Sequence, residues 1–214
     1  MSKGKTMKVL IAVPCMDQVP AQFAQSLSTL DKVGECGIAF QISSLIYTSR
    51  NKLAMLAIEK ECDYVLWLDS DMVFPRDTLK RLIDNKDKGD IITGMYFRRV
   101  EPFHPCLFSK LEVNDRGGAT EEVEEIPDGL FEVEGCGFGC VLTPVRIFTE
   151  MLLEYGDMFS PISSVGEDLS FCWRARELGY KIMCDPTIPL GHVGHYTVDR
   201  GFYEAYAQAK GENK

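Results

Sequence analysis

Short runs of β-branched and aromatic residues alternate along the chain with longer stretches whose apolar residues recur at i, i+3 and i+4. The first pattern is that of buried strands and the second that of amphipathic helices. Residues 8–13 predict a strand and 23–30 a helix. A second strand is expected over 38–47, followed by a helix that Ser49 opens as N-cap and that turns Leu53, Leu56 and Ala57 inward. Residues 64–68 predict a third strand. A helix from Pro75, where proline suits the first turn, then buries Leu79, Leu82 and Ile83. After a strand over 91–98, residues 110–129 turn acidic and turn-rich, with Asn114-Asp115, Gly117-Gly118 and then Glu121, Glu122, Glu124 and Glu125. This segment is expected to be a mobile hairpin or loop. Strands at 130–133 and 141–143, helices at 145–154 and 167–178, a strand at 188–190 and a C-terminal tail over 202–214 with a short helix complete the pattern. The alternation predicts an α/β fold. Without an internal repeat or a sharp break in composition, residues 1–214 are expected to form a single domain.

Composition narrows the partners. The chain of 214 residues carries 23 Lys and Arg against 32 Asp and Glu, a net charge of −9. With no basic run to offset it, that charge repels nucleic-acid phosphates and anionic membranes. The apolar runs at 9–14 and 64–68 are far shorter than the ~20 residues a membrane span requires. Residues 1–7 contain lysines but no apolar signal-peptide core, so a cytoplasmic protein is expected. The eight cysteines form no C-x-x-C pair and read as reduced thiols.

Candidate chemistry concentrates in a few places. Leu66-Trp67-Leu68-Asp69-Ser70-Asp71 is an apolar strand ending in two acids separated by one residue. Open α/β sheets bind ligands at the carboxyl ends of their strands. A carboxylate pair there can hold a hard divalent cation, or it can simply turn the chain. Gly166-Glu167-Asp168 opens a helix whose Leu169, Cys172 and Trp173 form an apolar stripe. Ser164 and Glu167 match a capping box, which leaves Asp168 as the carboxylate able to take a proton from an attacking hydroxyl. Gly191-His192-Val193-Gly194-His195 holds two of the three histidines, and an imidazole nitrogen can complete a cation's coordination beside carboxylates. His192 is preferred over His195, and His104 reads as structural. Arg50, near a helix N-terminus, can meet a nucleotide or phosphate or make a surface ion pair. Arg98 and Arg99 follow a strand end with the same two options. The 135–139 segment lacks the spacing and first-strand position of a dinucleotide loop, so its glycines are read as allowing close backbone approach.

In this order, the first strand ending in Pro14, Ser49-Arg50-Asn51-Lys52-Leu53-Ala54, Asp69-Ser70-Asp71-Met72, Thr93-Gly94-Met95-Tyr96, the 135–139 turn, Gly166-Glu167-Asp168 and Gly191-His192-Val193-Gly194 resemble the GT-A glycosyltransferases. The resemblance is to the small bacterial and bacteriophage members related to glycosyltransferase family 2. It spans nearly the whole chain and implies the GT-A fold, with one Rossmann-like mixed sheet flanked by helices. It also implies sugar transfer from a nucleotide-diphosphate sugar with the help of Mn²⁺ or Mg²⁺. By resemblance, Pro14, Arg50, Asp69 and Ser70 line the nucleotide pocket, and Asp71 and His192 ligate the metal. Asp69 touches either the metal or only the ribose. Asp168 is then the base of an inverting displacement, with Glu167 and Gly137 bordering the acceptor. The acidic 110–129 insert sits where acceptor loops vary, so the acceptor stays open among glycan, cell-wall polymer and modified DNA base. Two rivals remain. A sugar nucleotidyltransferase needs a glycine-rich loop after the first strand, where this chain has Pro14-Cys15-Met16-Asp17-Gln18-Val19-Pro20. A non-catalytic binding module has no use for Asp71, Asp168 and His192 together.

Overall fold

The computed structural model describes residues 6–114, 117–194 and 197–211. In chain order the elements are β1 (Lys8–Cys15), α1 (Ala21–Thr29), β2 (Glu35–Ile42), α2 (Ile46–Glu59), β3 (Tyr64–Leu68), β4 (Met72–Val73), α3 (Thr78–Asp84), β5 (Ile91–Gly94), β6 (Leu107–Asn114) and β7 (Gly117–Glu122). They continue with β8 (Phe131–Val133), β9 (Gly135–Cys136), β10 (Cys140–Pro144), α4 (Val145–Tyr155), α5 (Glu167–Glu177), β11 (Ile182–Asp185), β12 (Gly191–Val193), β13 (Thr197–Val198) and α6 (Arg200–Lys210).

Seven strands form the main sheet in the order β2-β1-β3-β10-β5-β11-β8. β1 runs parallel to β2 and β3, whereas β10 is antiparallel to both β3 and β5. Both faces of the sheet are covered, which explains why the central strands read as continuous apolar runs rather than alternating ones. In β1, Leu10 and Ala12 pack with Leu53, Ala54 and Ala57 of α2 and with Phe148 of α4. Val9, Ile11 and Val13 enter the opposite layer with Phe23 of α1 and with Leu79 and Leu82 of α3. β3 divides its side chains the same way, Val65 and Trp67 to one layer and Leu66 and Leu68 to the other. Two small sheets, β13-β12-β4 and β7-β6-β9, flank the main one.

Several boundaries differ from the sequence expectation. β2 ends at Ile42 and α2 begins at Ile46, so Ser49 lies inside the helix, where its amide donates to the Leu45 carbonyl at 3.1 Å instead of capping. Pro75 precedes a turn, its carbonyl accepting from the Thr78 amide at 3.2 Å, and α3 starts only at Thr78. β5 stops at Gly94 instead of 98. The acidic segment contributes to the antiparallel β6–β7 hairpin, whose far side pairs with β9. The last predicted strand is displaced from 188–190 to Gly191–Val193. β11 has little sequence signal of its own, because it is only four residues long and is followed at once by Pro186. No helix among the described residues is long and apolar enough to cross a membrane. All eight cysteines are free.

Candidate functional site

A cleft of about 390 Å³ opens at the carboxyl ends of β1 and β3. Pro14, Arg50, Asp69, Ser70, Asp71, Glu167, Asp168 and His192 all line it. Three separate pieces of local structure bring them together.

The first is the turn after β3. The Asp69 amide donates to the Gly139 carbonyl at 3.1 Å, and the Met72 amide donates back to the Asp69 carbonyl at 3.1 Å. This sends the chain directly into β4. Met72 then pairs opposite His192, and the Val193 amide donates to the Asp71 carbonyl at 2.8 Å, so the small sheet sets the histidine beside the acid. Gly191 is required there, since a Cβ would lie 2.5 Å from the Thr197 methyl group.

The His192 ring is oriented from behind. Its Nδ1 donates to the Phe97 carbonyl at 2.8 Å. A carbonyl can only accept, so in the neutral ring Nε2 presents its lone pair, 3.5 Å from Asp71 Oδ2. A histidine whose far nitrogen donates to a backbone carbonyl, with its near nitrogen facing a carboxylate oxygen, has the usual arrangement of a metal ligand. Among the described residues no group of three His, Cys, Asp or Glu side chains could hold an ion. Asp71 and His192 could supply at most two ligands to a cation, whose remaining positions would have to come from phosphate oxygens and water. Burial opposes ionisation of Asp71, but a protonated His192 ring donating to it, together with Arg99, outweighs that and holds the carboxyl below its ordinary range.

Arg50 projects from the second turn of α2 and is 2% exposed. Its Nη2 donates to Asp69 Oδ1 at 2.8 Å, its Nε lies 3.4 Å from Glu167 Oε1, and its guanidinium sits 5.2 Å from the Phe138 ring centroid. Two of its nitrogens are engaged by carboxylates and Nη1 is buried without a hydrogen-bond partner, so Arg50 ties the β3 turn to the mouth of α5. Asp69 is correspondingly directed at Arg50, although burial still pushes its carboxyl up.

At the α5 mouth the expected capping box does not form. Gly166 is the N-cap and no side chain caps the helix, while Glu167 is turned to Arg50. Ser170 organises the preceding loop, accepting from the Ile162 amide at 2.9 Å and donating to the Val165 carbonyl at 3.1 Å. Asp168 Oδ1 accepts from the Leu169 amide at 2.8 Å. Burial, reinforced by Glu167, raises the Asp168 carboxyl to about 6, a value suited to proton transfer near neutrality.

Gly137 does not line the cleft. It is buried beneath Tyr96, whose hydroxyl oxygen lies 2.1 Å from where a Cβ would stand, so glycine serves packing there. Tyr96 itself lines the cleft, accepts from the Gly139 amide at 3.2 Å and stays protonated because burial pushes its phenol well up. The sequence reading assigned no role to Tyr96, Phe138, Ser43 or Ser44, all of which line the cleft. Their one available signal was position just beyond strand ends. Arg99 also lines it, at 2.9 Å from Asp71. Cys15 lies at the rim, and burial raises its thiol, which disfavours a thiolate nucleophile. His195 falls outside the described residues. His104 contacts Glu122 of β7, away from the cleft lining.

No protein-family model matches the sequence, and no curated protein matches it. Among solved structures, the chain is similar to A197 from STIV at 20% identity and a TM-score of 0.62, over 88% of this chain and 86% of that one. It is also similar to GalNAc-T7, solved with UDP, GalNAc and Mn²⁺, at 8% identity and a TM-score of 0.59. That match covers 96% of this chain and 48% of GalNAc-T7. The mixed sheet flanked by helices is thus the GT-A fold.

Proposed function

We propose that this chain transfers a sugar from a nucleoside-diphosphate sugar to an acceptor hydroxyl, with inversion and with the help of a divalent cation. One observation carries the reading: Asp71, His192 and Asp168, supplied by three distant segments, line a single cleft at the carboxyl ends of the parallel strands. The fold, shared with a glycosyltransferase solved with UDP and Mn²⁺, supports it. So does the charge of the cleft, where four carboxylates face two guanidiniums. A diphosphate entering such a cleft needs added positive charge.

Asp71 and His192 are the residues that hold the cation, which supplies charge neutralisation for the leaving diphosphate. Pro14, Ser43 and Ser44 border the nucleotide end of the cleft. Arg50 fixes Asp69 and Glu167 in place and so sets the distance between the β3 turn and α5. Asp168 takes the proton from the acceptor oxygen as that oxygen attacks the anomeric carbon. Glu167, 3.4 Å from Arg50, keeps the local charge high enough to hold Asp168 basic.

The test is a panel of nucleotide sugars scored by thermal shift with and without Mn²⁺, followed by donor hydrolysis for each ligand that raises the melting temperature. A metal-dependent shift with one base class, accompanied by sugar release, is the expected result. Turnover of nucleoside triphosphates with sugar phosphates, without sugar release, would favour a nucleotidyltransferase instead.

A further inference from the structure

Arg99 places a guanidinium on the oxygen that the proposed cation requires. Its Nη1 lies 2.9 Å from Asp71 Oδ2 and donates to the Val193 carbonyl at 3.2 Å. The same Oδ2 faces His192 Nε2 at 3.5 Å. Positive charge therefore already occupies the acid-imidazole pair, supplied by the protein itself. Of the two guanidiniums in the cleft, Arg50 is buried and held by Asp69 and Glu167, whereas the Arg99 side chain is 47% exposed. Arg99 follows the end of β5 in a turn closed by the Arg98 amide on the His104 carbonyl at 3.0 Å. Its long, half-exposed side chain has the rotamer freedom to swing off Asp71, at the cost of the Nη1 bond to the Val193 carbonyl.

We infer that Arg99 is an internal counter-ion that holds Asp71 until a diphosphate arrives and then transfers to the phosphate oxygens, coupling donor binding to metal binding. The inference rests on the proposed function, because it takes Asp71 as a metal ligand and a diphosphate as its companion. The physical reason is charge balance. A divalent cation at Oδ2 and a guanidinium on the same oxygen repel each other, so the metal alone must displace Arg99 and gains little. A diphosphate offers the guanidinium paired anionic oxygens, which planar forked donors match well. Its arrival releases Oδ2, so each ligand raises the other's affinity by the same factor.

Calorimetric titration of the purified chain with Mn²⁺, with and without UDP or GDP, tests this directly on wild type, Arg99→Gln, Arg99→Lys and Asp71→Asn. Arg99→Gln is expected to bind Mn²⁺ alone at least about fivefold more tightly than wild type, the lower end of typical coupling between sites. The factor by which the diphosphate tightens Mn²⁺ is expected to shrink, while Arg99→Lys stays close to wild type in Mn²⁺ affinity. Equal or weaker Mn²⁺ binding by Arg99→Gln overturns the counter-ion role. If Asp71→Asn meanwhile loses Mn²⁺, the metal reading stands and only the role of Arg99 falls. If Asp71→Asn binds Mn²⁺ as well as wild type does, both readings fall together.

Discussion

Replacing Asp168 by Asn should make the protein more stable while it loses transfer. The carboxyl rises from an ordinary 3.8 to about 6 because the folded chain buries it beside Glu167. In the folded state it therefore holds its proton more tightly than in the unfolded state. The stability that this carboxyl contributes is fully present below pH 3.8, falls as pH rises through the interval up to about 6, and is lost above it. A shift of about 2 units corresponds to roughly 3 kcal/mol at most, and partial exposure of the side chain reduces that to about 2 kcal/mol. Asparagine keeps the shape and can still accept from the Leu169 amide, so the charge is what changes. Urea denaturation at pH 7.5 should show Asp168→Asn more stable by about 2 kcal/mol, a midpoint shift on the order of 1 M. At pH 4 the two proteins should nearly coincide. Donor hydrolysis by wild type, as kcat/KM, should rise with pH through about 6 and then level. The variant should lose about 10²–10⁴-fold. A variant less stable than wild type by the same amount at both pH values would refute the placement of a strained carboxylate at the α5 mouth.

Asp71→Asn should abolish metal-dependent thermal stabilisation by nucleoside diphosphates while leaving the apo melting temperature within a few degrees, because the Asp71 carbonyl bond to Val193 is unaffected. Arg50→Met should destabilise by about 3–5 kcal/mol in urea denaturation, since it strands Asp69 and Glu167 without their buried partner. The loss should lessen on acidification, as the burial-raised Asp69 carboxyl takes up its proton in the variant. Gly139→Ala should cost about 1–3 kcal/mol, because its Cβ lies 2.8 Å from the Tyr96 ring, and it should weaken donor binding through displacement of Tyr96.

Much of the scaffold was legible in the sequence. The apolar runs in β1 and β3 announced strands covered on both faces, and the i, i+3, i+4 spacing in α2 and α3 identified their inward residues. These patterns depend on period alone, and period is a local property of the chain. Helix starts were less legible. Ser49 and the Ser164–Glu167 pair have capping chemistry, but capping depends on where the backbone turns: Ser49 lies inside α2, and α5 takes Gly166 as its N-cap while Glu167 turns to Arg50. Gly137 illustrates the same limit, since a glycine that approaches a ligand and one that approaches Tyr96 look alike in sequence.

By itself the sequence determined the residue types of the cleft: an acid pair after an apolar strand, two acids opening a helix, and a histidine between glycines. Only the tertiary structure decided which of these meet and what each one faces. Pairing of β4 with β12 sets His192 at Asp71, the Phe97 carbonyl selects which ring nitrogen points inward, and α2 docking against the sheet spends Arg50 on Asp69 and Glu167. These contacts join residues far apart in the chain, and their geometry comes from strand register and helix packing that no local pattern encodes.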